Sequence, residues 1–157
     1  MRFIGNVIEK LQRHPKRVVF PEGTEPRILQ AARQFHALQL GAPIVLGEPA
    51  KVKEVAEGLN VSLDGIRVIN PAQSEDLDNF ANRLFRLRRE KGLRAPEARE
   101  AMLQPNYYGA MMVAMHQADG LISGASHFTG SALRPLVQII KAAPDIATVS
   151  SCMIMEV

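Results

Sequence analysis

Several things are scarce in this 157-residue chain, and each scarcity removes a class of protein. Cys152 is the only cysteine, which excludes an internal disulfide and a cysteine-rich zinc site. Its neighbours Met153 and Ile154 favour a buried, inert thiol. No apolar run approaches the roughly 18 residues of a membrane span. The N-terminal "MRFIGNVIEKLQRHPKR" carries Glu9, Gln12 and Arg13 where a signal peptide needs an unbroken apolar segment. A cytoplasmic chain with no membrane partner is the expectation, and the glycosylation-type triplet Asn60-Val61-Ser62 is then a chance match. No internal repeat or low-complexity tract interrupts the sequence. Motifs are missing too. There is no Gly-x-x-x-x-Gly-Lys-Ser/Thr loop, no Gly-x-Gly-x-x-Gly after a strand and no Gly-x-Ser-x-Gly elbow. These gaps argue against a nucleoside triphosphatase, a nicotinamide dehydrogenase and an elbow-type hydrolase.

What is present describes an ordinary globular chain, with 46% apolar and 22% charged residues and a net charge of +3 that mildly favours anionic partners. One compact domain over 1–157 is expected. Short β-rich runs at 17–20, 43–47, 66–70, 119–123 and 148–155 alternate with helical periodicity at 3–13, 25–39, 49–57, 75–91, 96–117 (broken at Pro105) and 131–141. Such brief, apolar strands belong in a sheet covered on both faces. The pattern predicts an α/β fold, a doubly wound, mainly parallel sheet with helices on both faces.

Ligands of such sheets usually sit beyond the carboxyl ends of the strands, so the loops there carry the functional reading. In "VVFPEGTEPRIL" (18–29) a strand ends at a Pro-Glu-Gly turn, Thr24 is placed to cap a helix and Pro26 falls in its first turn. Ile28, Ala31, Phe35 and Leu38 then repeat at helical spacing and should face the sheet. In "DGLISGASHFTGSALRP" (119–135) Gly124 and Gly130 permit close approach of a ligand, and Ser123, Ser126 and Thr129 offer hydroxyls. Thr129 or Ser131 can cap the next helix, whose positive end attracts an anion, and Pro135 requires that helix to begin close by. Arg134 adds a planar donor fork suited to phosphate. His127 could carry a proton, although a lone histidine near a helix start is ordinarily a hydrogen-bonding loop residue. No second histidine or carboxylate accompanies it at ligand spacing, so no metal is expected.

The basic segment "RLFRLRREKGLR" (83–94) divides by helical geometry. Leu77, Phe80, Ala81, Leu84 and Leu87 make an apolar stripe, and Arg83, Arg86 and Arg89 point away from it into solvent. Arg88 falls near the stripe's centre at the C-terminal end of the helix and must meet a carboxylate, the helix terminus or an anionic ligand. Tyr107 and Tyr108 are too few to make the basic residues a nucleic-acid surface, so no nucleic-acid partner is expected.

"VVFPEGTEPRIL", "LRREKGL", "ADGLISGASHFTGSALRPLVQIIK" and "VSSCMIMEV" resemble, in order, successive segments of the phosphate acetyl/butyryltransferase family, its acetyl branch most closely. The resemblance runs from about residue 16 to the last residue, and 118–141 is its most specific part. It implies reversible acetyl transfer between acetyl phosphate and coenzyme A on a two-domain α/β subunit that dimerises. Coenzyme A or acetyl-CoA and acetyl phosphate or phosphate would then be substrates, with no tightly bound cofactor. Arg88 and Arg134 match arginines the family uses for anionic substrates, and Ser126 and Thr129 fall in the small-residue loop lining the cleft. Gly130 and Ser131 depart from the common pattern after the threonine.

Family members are roughly twice this length, so the chain is expected to be an N-terminal half that is inactive alone. The resemblance puts the thiol-activating carboxylate and the arginine and serine that hold the acyl phosphate in the other half, and no motif in 1–157 replaces them. The alternatives are a butyryl-specific relative, the regulatory acyl-CoA-binding domain appended to malic enzymes, or a noncatalytic phosphate-binding or oligomerisation module. The N-terminal "MRFIGNVIEKLQRHPKRVVF" reads as a natural beginning and argues against the appended domain.

Overall fold

A computed structural model describes residues 2–140 together with 143 and 145. The strand expected at 148–155 and the environment of Cys152 lie outside the described residues. Among the described residues four strands, β1 (Lys16–Phe20), β2 (Gly41–Leu46), β3 (Arg67–Ile69) and β4 (Gly120–Leu121), form one sheet in the order β3-β2-β1-β4. All pairings are parallel, with Val18 opposite Pro43 on one side of β1 and Gly120 on the other.

Among the described residues seven α-helices connect and cover the strands: α1 (Arg2–Arg13), α2 (Pro26–Ala37), α3 (Pro49–Gly58), α4 (Leu77–Arg88), α5 (Ala95–Met102), α6 (Pro105–Ala114) and α7 (Thr129–Ile139). Proline opens α2, α3 and α6, where its missing N–H would have had no intrahelical acceptor and its fixed φ suits the first turn. The break expected at Pro105 is therefore a helix start.

Alternation along the strands builds two cores. Val18, Phe20 and Val45 pack with Ile28, Leu29 and Ala32 of α2 and with Val52 and Ala56 of α3. Val19, Ile44 and Leu46 point the other way, onto Phe80, Leu84, Met102, Tyr108 and Met111 of α4 to α6. Helices on both faces of a parallel sheet make this the three-layer, doubly wound arrangement the sequence predicts. Each apolar side chain fully buried in these cores contributes about 1.5–3 kcal/mol. Gly109 sets how near α6 lies to the sheet, since a Cβ there would come within 2.7 Å of Leu121 and 3.1 Å of Val19.

The inward face of α2 differs from expectation. Ile28 is buried and Phe35 is half-buried, but Ala31 is exposed and Leu38 stands 40% exposed beyond the helix end. Leu29 and Ala32 fill the places assigned to them, because the buried stripe is centred one residue further along the helix. Among the described residues no helix is long and apolar enough to cross a membrane.

Candidate active site

The chain leaves β1 toward β2 on one side, and β4 docks on the other side of β1, so the carboxyl ends of β1 and β4 flank the point where the strand order reverses. Doubly wound folds usually hold ligands there. Here the crevice holds the protein's own carboxylate. Glu22, in the turn after β1, is 4% exposed and accepts hydrogen bonds from the loop after β4. Its Oε2 takes the amides of Gly124 (3.0 Å) and Ala125 (2.9 Å). Its Oε1 takes the amides of Ser126 (2.7 Å) and His127 (3.1 Å), the Ser126 hydroxyl (2.9 Å) and His127 Nδ1 (2.8 Å).

Gly124, with φ of +115°, bends the loop so that successive amides converge, a backbone conformation ruled out for most L side chains. Burial alone would push the Glu22 carboxyl up, but the amides of Ala125 and Ser126, the His127 ring and the Ser126 hydroxyl together hold it well below the usual carboxylate range. A second tie runs the same way. Arg27 Nη2 donates to the Ala125 carbonyl at 2.8 Å while its Nε pairs with Glu25 at 2.7 Å.

The loop delivers the chain to α7. Phe128 occupies the N-cap position with no side-chain cap, and the amides of Ser131 and Ala132 turn back onto its carbonyl. Thr129 and Gly130, the first two residues of the helix, have amides with no intrahelical acceptor. Next to this uncapped end lies a cavity of about 420 Å³ lined by Gln104, Tyr107, Gly130, Ser131 and Arg134 and by two carboxylates, Glu97 and Glu100.

Arg88, half-buried at the end of α4, acts with Arg134 on one group, the Tyr107 hydroxyl. Burial raises the pKa of that hydroxyl, and the two guanidinium charges pull it back. Tyr107 itself donates to Gln138 Oε1 at 2.9 Å. The fold therefore brings Arg88 and Arg134, 46 residues apart in sequence, close enough for both charges to act on one tyrosine hydroxyl. Arg83, Arg86 and Arg89 are exposed.

Several details of the loops depart from the sequence reading. The cap of α2 is Glu25, whose carboxylate accepts from the Arg27 amide, and Thr24 is not used. A residue one position nearer the helix reaches that orphan amide with a longer side chain. Neither Thr129 nor Ser131 caps α7, because Thr129 is already helical and the Ser131 hydroxyl donates to the Phe128 carbonyl at 2.7 Å. Pro135 lies in the second turn of α7, buried, six residues beyond the helix start. The Ser126 hydroxyl is committed to Glu22, whereas Thr129, Gly130 and Arg134 are exposed, and Gly130 and Arg134 line the cavity. Glu22 is the residue that sequence reasoning passed over. Its one available signal was an acidic side chain directly after a buried strand, in the quoted Pro-Glu-Gly turn. Among the described residues no cluster of three or more histidine, cysteine, aspartate or glutamate side chains could hold a metal.

These features define a parallel, doubly wound α/β protein with an uncapped helix N-terminus beside a cavity that Arg134 lines. Over residues 2–157 the chain matches the phosphate acetyl/butaryl transferase family and belongs to it. It is 41% identical over 157 residues to a phosphate acetyltransferase of Thermoanaerobacterium thermosaccharolyticum, covering 100% of this chain and 47% of that protein. It is 36% identical to one of Acetivibrio thermocellus with the same coverage. Two solved phosphotransacetylases share the fold. That of Staphylococcus aureus superposes with a TM-score of 0.83 at 36% identity, over 92% of this chain and 45% of its own. That of Streptococcus pyogenes gives 0.86 at 33% identity, over 92% and 44%. The chain spans about half the length of the curated relatives it matches.

Proposed function

We propose that the chain supplies the anion-binding part of a phosphate acetyltransferase, which moves an acetyl group reversibly between acetyl phosphate and coenzyme A. The observation that carries this reading is the convergence of Arg88 and Arg134 on Tyr107 beside the uncapped N-terminus of α7. Among the described residues neither arginine has an ion-pair partner, although carboxylates lie nearby. Two unpaired guanidinium groups beside free helical amides are suited to a phosphate-bearing ligand. In this reading Arg88 and Arg134 neutralise substrate phosphates, the amides of Thr129 and Gly130 donate to a phosphate oxygen, Ser131 lines the entrance and Ser126 stiffens the loop through Glu22.

The chemistry asks for positioning above all. The coenzyme A thiolate attacks the acetyl carbonyl and phosphate departs, so the protein must hold two anions in line and manage one proton. Coenzyme A and acetyl phosphate act as substrates, with no tightly bound cofactor, in a cytoplasmic dimer. No residue of 1–157 matches the thiol-activating carboxylate implied by the resemblance, so this chain alone is expected to bind phosphate and coenzyme A without turnover.

Phosphorus NMR titration of the 157-residue chain with inorganic phosphate tests the site. Arg134→Ala should weaken binding by about 10- to 100-fold, the cost of a lost charge-assisted contact, and Arg83→Ala should leave it unchanged. Equal losses in the two variants would reduce the site to a general charge effect and sink the assignment.

A further inference from the structure

Glu22 does more than hold the loop, because it also decides which nitrogen of His127 carries a hydrogen. Glu22 Oε1 lies 2.8 Å from His127 Nδ1 and already accepts from two amides and a hydroxyl. An ionised carboxylate can only accept, so Nδ1 must be the donor. In the neutral imidazole that leaves Nε2 with a free lone pair. The pair has one anchored end and one open end, with side chains 1% exposed at Glu22 and 40% exposed at His127. Among the described residues Nε2 meets no partner.

The His127 ring borders a cavity of about 360 Å³ between the turn after β1, Leu46, Gly47 and Pro105. Pro105 adjoins Gln104 of the Arg134 cavity, and His127 stands two residues before Thr129, the first residue of α7. A carboxylate that fixes one imidazole nitrogen and frees the other is the arrangement by which enzymes orient a histidine for proton transfer.

We propose that His127, with its tautomer fixed by Glu22, is the hydrogen-bond and proton acceptor for hydrogenphosphate bound at the N-terminus of α7. The proposal rests on the phosphate-site reading above and gives that site its proton carrier. In the acetyl phosphate-forming direction, an oxygen of HPO₄²⁻ bonds to the thioester carbonyl carbon and the carbon–sulfur bond breaks. The electron pair leaves with sulfur, and the phosphate hydroxyl proton passes to Nε2. The products are acetyl phosphate dianion, coenzyme A thiolate and an imidazolium paired with Glu22, so the total charge of −2 is unchanged. Returning that proton to the thiolate regenerates neutral His127. In reverse, the same nitrogen protonates the departing phosphate, which would otherwise leave as a trianion.

The test uses the 157-residue chain labelled with nitrogen-15 histidine and titrated with inorganic phosphate. Without phosphate, His127 should give the spectrum of the Nδ1–H tautomer. With phosphate, its Nε2 resonance should move along the same saturation curve as the phosphorus signal, while His14, His36 and His116 do not follow. His127→Asn retains an amide able to donate to Glu22 but lacks the second nitrogen, and it should weaken phosphate binding about tenfold. Saturable, Arg134-dependent phosphate binding with an unmoved Nε2, or unaltered affinity in His127→Asn, would overturn the role of His127 and leave the phosphate site standing. Absence of Arg134-dependent phosphate binding would overturn both, and an Nε2–H tautomer in the free chain would overturn the Glu22 arrangement.

Discussion

The β1–β4 pair is tied by a carboxylate at each end, and the two ties are built on opposite principles. At the amino end Asp119, just before β4, accepts Arg17 Nε at 3.1 Å, Nη2 at 3.0 Å and the Arg17 amide at 2.8 Å. Both side chains there are substantially exposed, at 48% and 35%. At the carboxyl end Glu22 is buried, and apart from the His127 ring and the Ser126 hydroxyl its donors are main-chain amides. A solvated ion pair can be lost with little consequence, because water replaces either partner. A buried carboxylate wrapped by amides cannot be replaced that way, because its removal leaves several donors pointing at one another. The first tie joins strands, and the second shapes a loop.

Glu22→Ala should therefore give the largest effect, a loss of about 3 kcal/mol in urea unfolding together with collapse of phosphate binding. Retained phosphate affinity in a folded Glu22→Ala chain would show that the loop is shaped by something else. Glu22→Gln should fall between, at about 1–3 kcal/mol, because its single oxygen can serve one group of donors while its amino group faces the other.

The Glu22 variants also sharpen the comparison through pH. Both carboxyl groups have folded pKa values below their ordinary ones, that of Asp119 held down to about 2 by the hydrogen bond from the Arg17 side chain, aided by the Arg17 amide. A depressed carboxyl stabilises the fold above its unfolded pKa, and that stabilisation is lost as pH falls through the folded value. The wild-type chain should thus lose stability from about pH 4.5 downward, starting near the ordinary glutamate value of 4.5. Glu22→Gln should flatten that slope, and an unchanged slope would mean that Glu22 is not the titrating group. Asp119→Asn should have the smallest effect, a melting temperature close to wild type with phosphate binding intact. A loss rivalling that of Glu22→Ala would erase the distinction between the two ends.

Much of this architecture was legible in the residues. Strands such as Val18–Val19–Phe20 are short and apolar because both faces of the sheet are covered, and periodicity exposes that directly. The stripe of Leu77, Phe80, Ala81 and Leu84 singled out Arg88 as the basic residue that could not simply face water. The loops were less readable, because their partners are chosen by tertiary distance. Nothing local distinguishes Thr24 from Glu25 as a cap. Nor does any local pattern show that amides at 124–127 would close on a carboxylate about a hundred residues earlier. The glycines and hydroxyls of "DGLISGASHFTGSALRP" did signal an anion, and for the first half of that loop the anion is Glu22.

That self-occupancy has a consequence for selectivity. Glu22 is tethered by a short turn, so its effective concentration at the amides of 124–127 is on the order of millimolar or above and does not change with the surrounding solution. Free phosphate, sulfate or nucleotide competes at a disadvantage for those amides whatever the metabolic state of the cell. Those amides are thus occupied from within the chain, and an anion from solution would have to displace Glu22 to reach them.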